Sequence, residues 1–362
     1  MKSSYKKEDV VLLLKDITGL VEPQPAEERE RLIQSGRHYC EMLPKEYVPT
    51  ETYMQVYEQA LRIYALPTAA AVASLAEKIL KKRGRGVVPV SLARAGIPAG
   101  ILLKRYIRRN YQLELPHYAV SIIRGRGIDN NAMRYLLQRY EPQQLLFVDG
   151  WIGKGAIANE LKKEMAAYAG VSPEIAVLAD PANVTGLYGT REDLLIPSSC
   201  LNCTVSGLIS RTFLRSDVIG EHDFHGAVYY GELESSDLSY AFIREIEKYF
   251  EKPEALRTET DDAGLEAGNE KAAVPGTGLE EVHAVAQAFG ITDIHLIKPG
   301  IGETTRVLLR RVPWKVLVDE RWKSDAALMH IFRLAEEKNV PVVCYPLQHY
   351  KCCGLIKKMG DV

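Results

Sequence analysis

The stretch LLFVDGWIGKGAI (145–157) decides the fold, because it runs from an apolar strand into a glycine-rich turn at the start of a helix. Four apolar residues open it, which is typical of a strand buried on both faces of a parallel sheet. Asp149 follows them directly, and the turn then contains Gly153 and Gly155. Free backbone N–H groups at the start of a helix form a site for an anion. The stretch therefore predicts an α/β domain with a phosphate site at the carboxyl edge of its sheet.

The same pattern of apolar runs and helices extends to both sides of this stretch. Strand candidates are residues 86–96, 117–127, 143–151, 174–180 and 226–233, with helix candidates at 97–110 and 155–170. This alternation indicates βαβ units and a parallel sheet covered by helices, which we assign to residues 86–250. Residues 1–85 are predicted to be a mostly helical lead-in packed on this core. Its helices are expected at 50–65 and 67–84, the second starting at Pro67.

A change of composition separates a second compact region from the first. Residues 251–275 have almost no large apolar side chains, and seven acidic residues stand against three basic ones. Such a segment cannot bury enough surface to offset its ordering entropy, so we expect a flexible acidic linker. Residues 276–362 return to alternating helix and strand patterns, which predict a small α/β sandwich.

Composition and charge narrow the class of protein. With 362 residues and a net charge of -1, the chain has no global field that would attract nucleic acid or membrane. The N-terminal apolar run is too short to span a bilayer and has no signal-peptide pattern, so we expect a cytoplasmic protein without membrane contact. Its six cysteines are expected to be reduced thiols, and Cys200 with Cys203 is only half of a zinc site. An oligomer is possible.

Two further loops carry positive charge near the predicted phosphate site. The sequence SLARAG places Arg94 before the small residues Ala95 and Gly96, and the sequence IIRGRG adds Arg124 and Arg126. Because the carboxyl ends of parallel strands share one edge, these loops are expected to face the same crevice. Several basic or glycine-rich loops at one edge indicate a ligand with more than one phosphate.

The order of these loops resembles type I phosphoribosyltransferases, in which an apolar strand, acidic residues and a glycine-rich turn bind phosphoribosyl diphosphate (PRPP). More closely, residues of roughly 30–250 resemble the phosphoribosyltransferase-like proteins of tellurite-resistance and stress operons, on FVDGWIGKGAI, IPSSCLNCTVSGLISRTFLRSD and DFHGAVYYGEL. The resemblance implies a type I phosphoribosyltransferase-like sheet. It also implies an enzyme that binds Mg-PRPP or a related nucleotide and forms a ribosyl product in a stress response.

The resemblance also implies a role for each loop. Asp149 would orient the ribose, Mg²⁺ and Arg94 would stabilise the departing diphosphate, and Arg124 and Arg126 would close over it. The ligand would be cradled by Ala95, Gly96, Gly150, Gly153, Lys154, Gly155, Ala156 and Ile157. Gly150 stands where the family has a second acidic residue, and Ile157 where it has Thr or Ser.

Two other functions remain open from the sequence. Proteins of this operon group are also described as cysteine proteases, and Cys200 with His225 is a candidate nucleophile and base. Alternatively, the chain is a non-catalytic sensor of nucleotide or RNA, since a protein can keep the fold of an enzyme without its activity.

The C-terminal region carries its own resemblance. The strings KPGIGETTRVLLRRV and LAEEKNVPVVCYP are similar to the RNA-binding module shared by L7Ae-type ribosomal proteins and the Pelota C-terminal domain. The resemblance implies RNA as a partner, contacted by Gly302, Glu303, Thr305, Arg306 and Arg310, with glycine at 302 where that family has a base-contacting asparagine. The cluster of basic side chains agrees with this, since it forms a local patch in a neutral chain. The string LQHYKCCG (347–354) is expected to be a loop beside this surface.

Overall fold

The computed structural model describes residues 1–250 and 277–358, so the predicted linker at 251–275 lies outside the described residues. The first region contains, in chain order, β1 (Val11–Leu12), β2 (Lys15–Asp16), α1 (Ala26–Gln34), α2 (Glu51–Arg83), β3 (Val88–Leu92), α3 (Gly96–Tyr111), β4 (Tyr118–Val120), β5 (Ile122–Ile123), β6 (Gly127–Ile128), α4 (Asn130–Leu137), β7 (Leu145–Trp151), α5 (Ala156–Met165), β8 (Ile175–Ala179), β9 (Leu187–Thr190), β10 (Gly226–Ala227) and α6 (Ser239–Glu247).

A parallel sheet with the order β1-β4-β3-β7-β8-β9 forms the centre of this region. The strands from β4 to β9 follow the 2-1-3-4-5 order of a doubly wound sheet, whose winding reverses between β3 and β7. Ligands bind beyond the carboxyl ends of the strands at such a reversal. The predicted α/β class and parallel sheet are confirmed, whereas the finer assignment to the type I phosphoribosyltransferase fold is not.

The N-terminal part differs from its prediction, because α2 is one continuous helix that passes through Pro67. A proline inside a helix costs about 3 kcal/mol. Burial compensates here, since side chains on both sides of it, including Tyr57 and Leu75, are buried in the core. By length and composition alone α2 could also cross a membrane, but half of its most apolar window is buried inside the protein. We therefore interpret it as a core helix.

Two strand predictions at the edges of the sheet also change. Residues 226–233 contribute only β10, which pairs with β2 outside the main sheet. The edge next to β8 is instead formed by β9, whose sequence LYGT is too short and too polar to indicate a buried strand. The segment predicted as one strand at 117–127 divides into β4 and the antiparallel pair β5 and β6.

The C-terminal region is an α/β sandwich around a mixed sheet. It contains α7 (Thr277–Phe289), β11 (Ile297–Pro299), α8 (Ile301–Arg310), β12 (Pro313–Val318), α9 (Met329–Glu337), β13 (Val342–Cys344) and β14 (Cys352–Ile356). The sheet order is β11-β14-β12-β13, with β14 antiparallel to both of its neighbours. The loop prediction at 347–354 is therefore wrong at its end, because the apolar residues from Cys352 onward form a buried inner strand.

The two regions share one hydrophobic core. Ile301, Leu308 and Ile331 of the C-terminal sandwich belong to the same buried cluster as Tyr57 and Leu75 of α2.

Hydrogen bonds between the two regions stabilise their packing at both ends of the shared core. At one end, the buried Asp193 accepts from the backbone N–H of Ile301 (3.0 Å) and of Lys351 (2.9 Å). At the other, the start of α2 is bound to α9, because Thr50 donates to Glu337 at 2.7 Å. The loops at the carboxyl ends of β3 and β7 therefore face α8.

Candidate functional site: a cationic cavity and a cysteine–histidine pair

A cavity of about 310 Å³ lies between the carboxyl edge of the parallel sheet and α8. We call it the interdomain cavity. Its charged lining consists of Arg29, Arg94, Arg124, Arg211, Lys298, Arg306, Arg310, Arg311, Asp149 and Glu303. Eight cationic side chains against two carboxylates make it a site for an anion.

Ion pairs compensate only part of this positive charge. Arg94 pairs with Glu46 at 3.3 Å, Arg306 with Glu303 at 2.6 Å, and Arg311 with Glu30 at 2.6 Å. Arg310 donates to the side-chain oxygen of Asn202. The remaining four cations, which form no ion pair within the described part of the chain, are Arg29, Arg124, Arg211 and Lys298.

Burial and mutual repulsion act on these uncompensated groups. Desolvation, with repulsion from Arg211 and Arg311, lowers the pKa of Arg29 to about 9. Desolvation similarly lowers the pKa of Arg211 to about 10. For Lys298, burial and neighbouring cations lower the pKa to about 7. A bound anion would relieve this repulsion.

Asp149 lies at the end of β7 and faces the cavity, as the sequence predicts. Its Oδ1 accepts a hydrogen bond from the N–H of Gly150 at 2.7 Å. Burial raises its pKa to about 6, against the opposing charge of Arg306. At neutral pH this carboxylate opposes an anion rather than attracting one.

The glycine-rich turn after β7 is used mainly for packing against the C-terminal region. Gly153 accepts a hydrogen bond from the Tyr350 hydroxyl at 2.7 Å. Lys154 donates to the carbonyls of Ile294 and Ile297, so its ammonium group does not point at a phosphate in the cavity. From this turn only Ala156 and Ile157 line the cavity, and Gly155 caps α5 with a φ of 83°.

The loops after β3 and β5 contribute only some of their predicted ligand-binding residues to the cavity lining. Arg94, Ala95 and Arg124 line the cavity. Gly96 is instead required for packing, because a Cβ there would lie 2.4 Å from the carbonyl oxygen of Val148. Arg126 lies outside the cavity and pairs with Glu41 at 3.0 Å on the surface.

The residues predicted to contact RNA also divide into some that line the cavity and some that are used for packing. Glu303, Arg306 and Arg310 face the cavity. Gly302 packs against the indole of Trp151. Thr305 is buried and donates to the carbonyl of Ile301 at 2.8 Å, so it stabilises α8 from within.

Cys200 and His225 are not brought together. Cys200 is fully buried beside Tyr53, which donates to its carbonyl, and burial raises the pKa of its thiol strongly. His225 Nδ1 lies 2.8 Å from the Ser121 hydroxyl. Their separation could not be predicted from the sequence, because it depends on the tertiary fold.

A different cysteine lies beside a histidine. The Nδ1 atom of His38 is 3.0 Å from the Sγ atom of Cys40. Among the described residues, no other cysteine sulfur contacts a histidine ring. The pair lies behind the cavity wall, to which the intervening Tyr39 belongs. The string HYC was visible in the sequence, but its residues are too common to indicate a site without the loop geometry. Arg29 was missed because it lies in no recognisable motif, and Lys298 because it precedes the helix on which the predicted RNA contacts lie.

Comparisons with known proteins give both regions a family. Residues 3–247 match the family described as "Tellurite-like stress resistance cysteine protease StiP". Residues 276–358 match the "PELOTA RNA binding domain". The protein "Cysteine protease StiP" of Acinetobacter baylyi is 34% identical over 369 residues, which cover 99% of this chain and 94% of that protein.

These matches correct the main functional prediction. The expectation of a phosphoribosyltransferase that binds PRPP is wrong, because the family and its named relative are cysteine proteases. The stress-operon resemblance and the Pelota-type domain are confirmed. Mg²⁺ was expected only as the companion of PRPP and stays an untested prediction. The described residues contain no cluster of three or more His, Cys, Asp or Glu side chains that could hold a metal ion.

Proposed function

We propose that this chain, which belongs to the StiP family of tellurite-like stress resistance cysteine proteases, is a cysteine protease with Cys40 as its nucleophile. The name of its relative supports the reaction class. The 3.0 Å contact between Cys40 Sγ and His38 Nδ1 supports the choice of residue, because a catalytic thiol needs a base within hydrogen-bonding distance.

The surroundings of His38 favour its role as a base. Its Nε2 lies 3.0 Å from the carbonyl oxygen of Arg124, which can only accept, so Nε2 carries the proton. Nδ1 is then unprotonated and accepts from the Cys40 thiol. Burial and the nearby Arg126 and Arg124 lower the pKa of His38, which keeps the ring neutral and able to take a proton.

The reaction follows from this pair. Burial raises the pKa of Cys40 to about 11, although Arg126 and Arg211 oppose the rise, so the resting pair is a neutral thiol and a neutral imidazole. When a peptide carbonyl approaches, Nδ1 takes the proton as Sγ attacks the carbonyl carbon. The imidazolium then gives this proton to the amine as the C–N bond breaks, and water hydrolyses the resulting thioester.

Access to the thiol requires a movement. Cys40 is fully buried, and the carbonyl of Leu214 lies 3.5 Å from its sulfur. A peptide therefore reaches Sγ only after the segment that carries Tyr39 and Cys40 separates from Leu214. Such gating is common among enzymes that assemble their site on substrate binding.

The other cysteines fit the role less well. Cys203 and Cys353 are buried, and burial raises the pKa of each to about 12. Cys344 is exposed, but its thiol donates to Glu320, whose carboxylate raises the pKa of the thiol. Cys40 is also buried, but within the described residues these three sulfurs lack the contact with a histidine ring that Cys40 has.

The test is proteolysis of a fluorescently labelled unfolded protein such as casein. We expect Cys40→Ser and His38→Gln to reduce the rate by more than about a hundredfold. Cys200→Ser, with a thiol equally buried, is the matched control and should keep wild-type activity. Activity retained by Cys40→Ser, with the loss found in Cys200→Ser, would assign the nucleophile to Cys200 instead.

We propose, second, that the C-terminal region binds RNA. The match to the Pelota domain supports this, together with the positive side chains of α8 and its neighbours. Binding of a labelled single-stranded RNA that weakens with rising salt is the expected result, since phosphate contacts release counterions.

A further inference from the structure

We propose that the interdomain cavity holds the terminal, phosphate-bearing nucleotide of an RNA strand. The inference rests on the proposed binding of RNA by the C-terminal region and gives that binding a specificity. It assigns one ligand site to both regions, since the walls come from the parallel-sheet region and from α8 alike.

Unused hydrogen-bond donors point into this cavity. Arg29 is 1% exposed, yet its Nε and Nη2 atoms have no hydrogen-bond partner within the described residues. Ser199 is 4% exposed, and its hydroxyl lies beside the buried Cys200 thiol, which is only a weak acceptor. Buried donors without an acceptor are costly, and a guanidinium fork matches the oxygens of a phosphate. Both residues line the cavity, so a phosphate inside it would supply the missing acceptors.

The charge of the cavity favours a terminal phosphate over one inside a strand. Arg29, Arg124, Arg211 and Lys298 form no ion pair in the described residues, although Glu303 attracts Lys298 and Glu30 attracts Arg29 from a greater distance. A phosphate inside a strand carries one negative charge, whereas a terminal phosphate monoester carries about 1.5 to 2 at neutral pH. Its additional charge balances more of the positive charge of these four side chains, and its third free oxygen accepts further hydrogen bonds from them.

Aromatic rings beside the cationic groups fit the rest of a nucleotide. The guanidinium of Arg306 stacks 4.3 Å from the ring of Trp151, and that of Arg211 stacks 4.5 Å from the ring of Tyr39. All four side chains line the cavity. Aromatic faces and guanidinium planes are the surfaces on which unpaired bases stack in proteins that bind single-stranded RNA.

The position of α8 favours RNA over a phosphorylated peptide. Glu303, Arg306 and Arg310 lie in the region that matches the Pelota RNA binding domain, and they face the cavity. An RNA that reaches them must therefore enter it. A volume of about 310 Å³ is at the lower end of the range for ligand pockets, which suits one nucleotide and excludes a duplex.

The experiment compares short single-stranded RNAs of one sequence that carry a 5′-phosphate, a 3′-phosphate or neither, by fluorescence anisotropy on the full chain. We expect one phosphorylated form to bind at least about tenfold more tightly than the unphosphorylated form. Arg29→Met and, separately, Lys298→Met should reduce this preference to within about twofold. Arg62→Met is the matched control, because Arg62 is on the exposed face of α2.

The outcomes separate the two proposals. RNA binding with equal affinity for all three ends would overturn this inference and leave RNA binding standing. Absence of binding by any of the RNAs would overturn both. If a phosphoserine peptide binds as tightly as the phosphorylated RNA and displaces it, the assignment to RNA is overturned. Circular dichroism shows whether each variant is folded. If one of the two cavity variants is unfolded, the RNA preference of the other tests the inference.

Discussion

The indole of Trp151 lies directly against Gly302, where a Cβ would come within 2.3 Å of the Cε2 atom. This contact explains why glycine stands at the position where the resembled RNA-binding family has asparagine. A longer side chain would collide with the end of β7, so closure of α8 onto the parallel sheet excludes it. The same contact places Arg306 above the Trp151 ring.

Gly302→Ala should therefore loosen the contact between the two regions. Overpacking of a close contact costs about 1–3 kcal/mol, and we expect a decrease of this size in the free energy of unfolding. The measurement is chemical denaturation. Gly86→Ala is the control, because a Cβ there meets only the Gln144 side chain at 3.5 Å. Equal stability of the two variants would contradict the close packing of Trp151 on α8.

Asp149→Asn should strengthen RNA binding. The carboxylate faces the interdomain cavity, where it repels a phosphate, and the amide keeps its size. Removing one like charge in a partly buried site should tighten the Kd by about threefold to tenfold. Anisotropy with the terminally phosphorylated RNA measures the change. Weaker binding would mean that Asp149 contacts the ligand as an acceptor.

Lys298 should make RNA binding depend on pH. Its pKa, lowered to about 7 by burial, means that the ammonium forms as the pH falls from 8 to 6.5, an interval in which Arg29, with a pKa of about 9, stays charged. The charged form attracts phosphate, so the affinity should rise over this interval by about tenfold. Asp149 has a pKa of about 6, and a phosphate monoester has its second pKa near 6, so neither changes much above pH 6.5.

Lys298→Arg provides the control for this dependence, because arginine keeps its charge throughout the interval. Its affinity should be nearly constant between pH 6.5 and 8, where Arg29 is also charged. A dependence equal to that of the wild type would locate the titrating group elsewhere.

Cysteine reactivity should report the burial of the proposed nucleophile. Cys344 is exposed, whereas Cys40 is fully buried, so iodoacetamide at pH 8 should modify Cys344 at least about tenfold faster. Mass spectrometry of digested peptides measures both rates. An unfolded protein substrate should accelerate modification of Cys40, because binding must open the loop. Fast modification of Cys40 in the free protein would contradict the closed loop.

The sequence predicted the features that depend on neighbouring residues. The apolar runs that became β3, β7 and β8 indicate buried strands by themselves, and Asp149 follows β7 as the pattern requires. Because parallel strands end at one edge, Arg94 and Arg124 could be assigned to a common crevice, and both line it.

Features that depend on distant contacts could not be predicted. Pro67 is a strong local signal for a helix start, but the core on both sides of it keeps α2 continuous. Lys154 resembles a phosphate-binding lysine until the carbonyls of the C-terminal sandwich occupy its donors. The pairing of His38 with Cys40 depends on a loop conformation that no periodicity encodes.

The core that runs from α2 through α8 has a thermodynamic consequence. Since both regions contribute side chains to this one buried cluster, heat should melt the chain in one cooperative transition. A ligand bound in the interdomain cavity then increases the free energy of unfolding of the whole molecule by RT ln(1 + [L]/Kd). Occupancy of one small cavity would in this way raise the thermal stability of both regions at once.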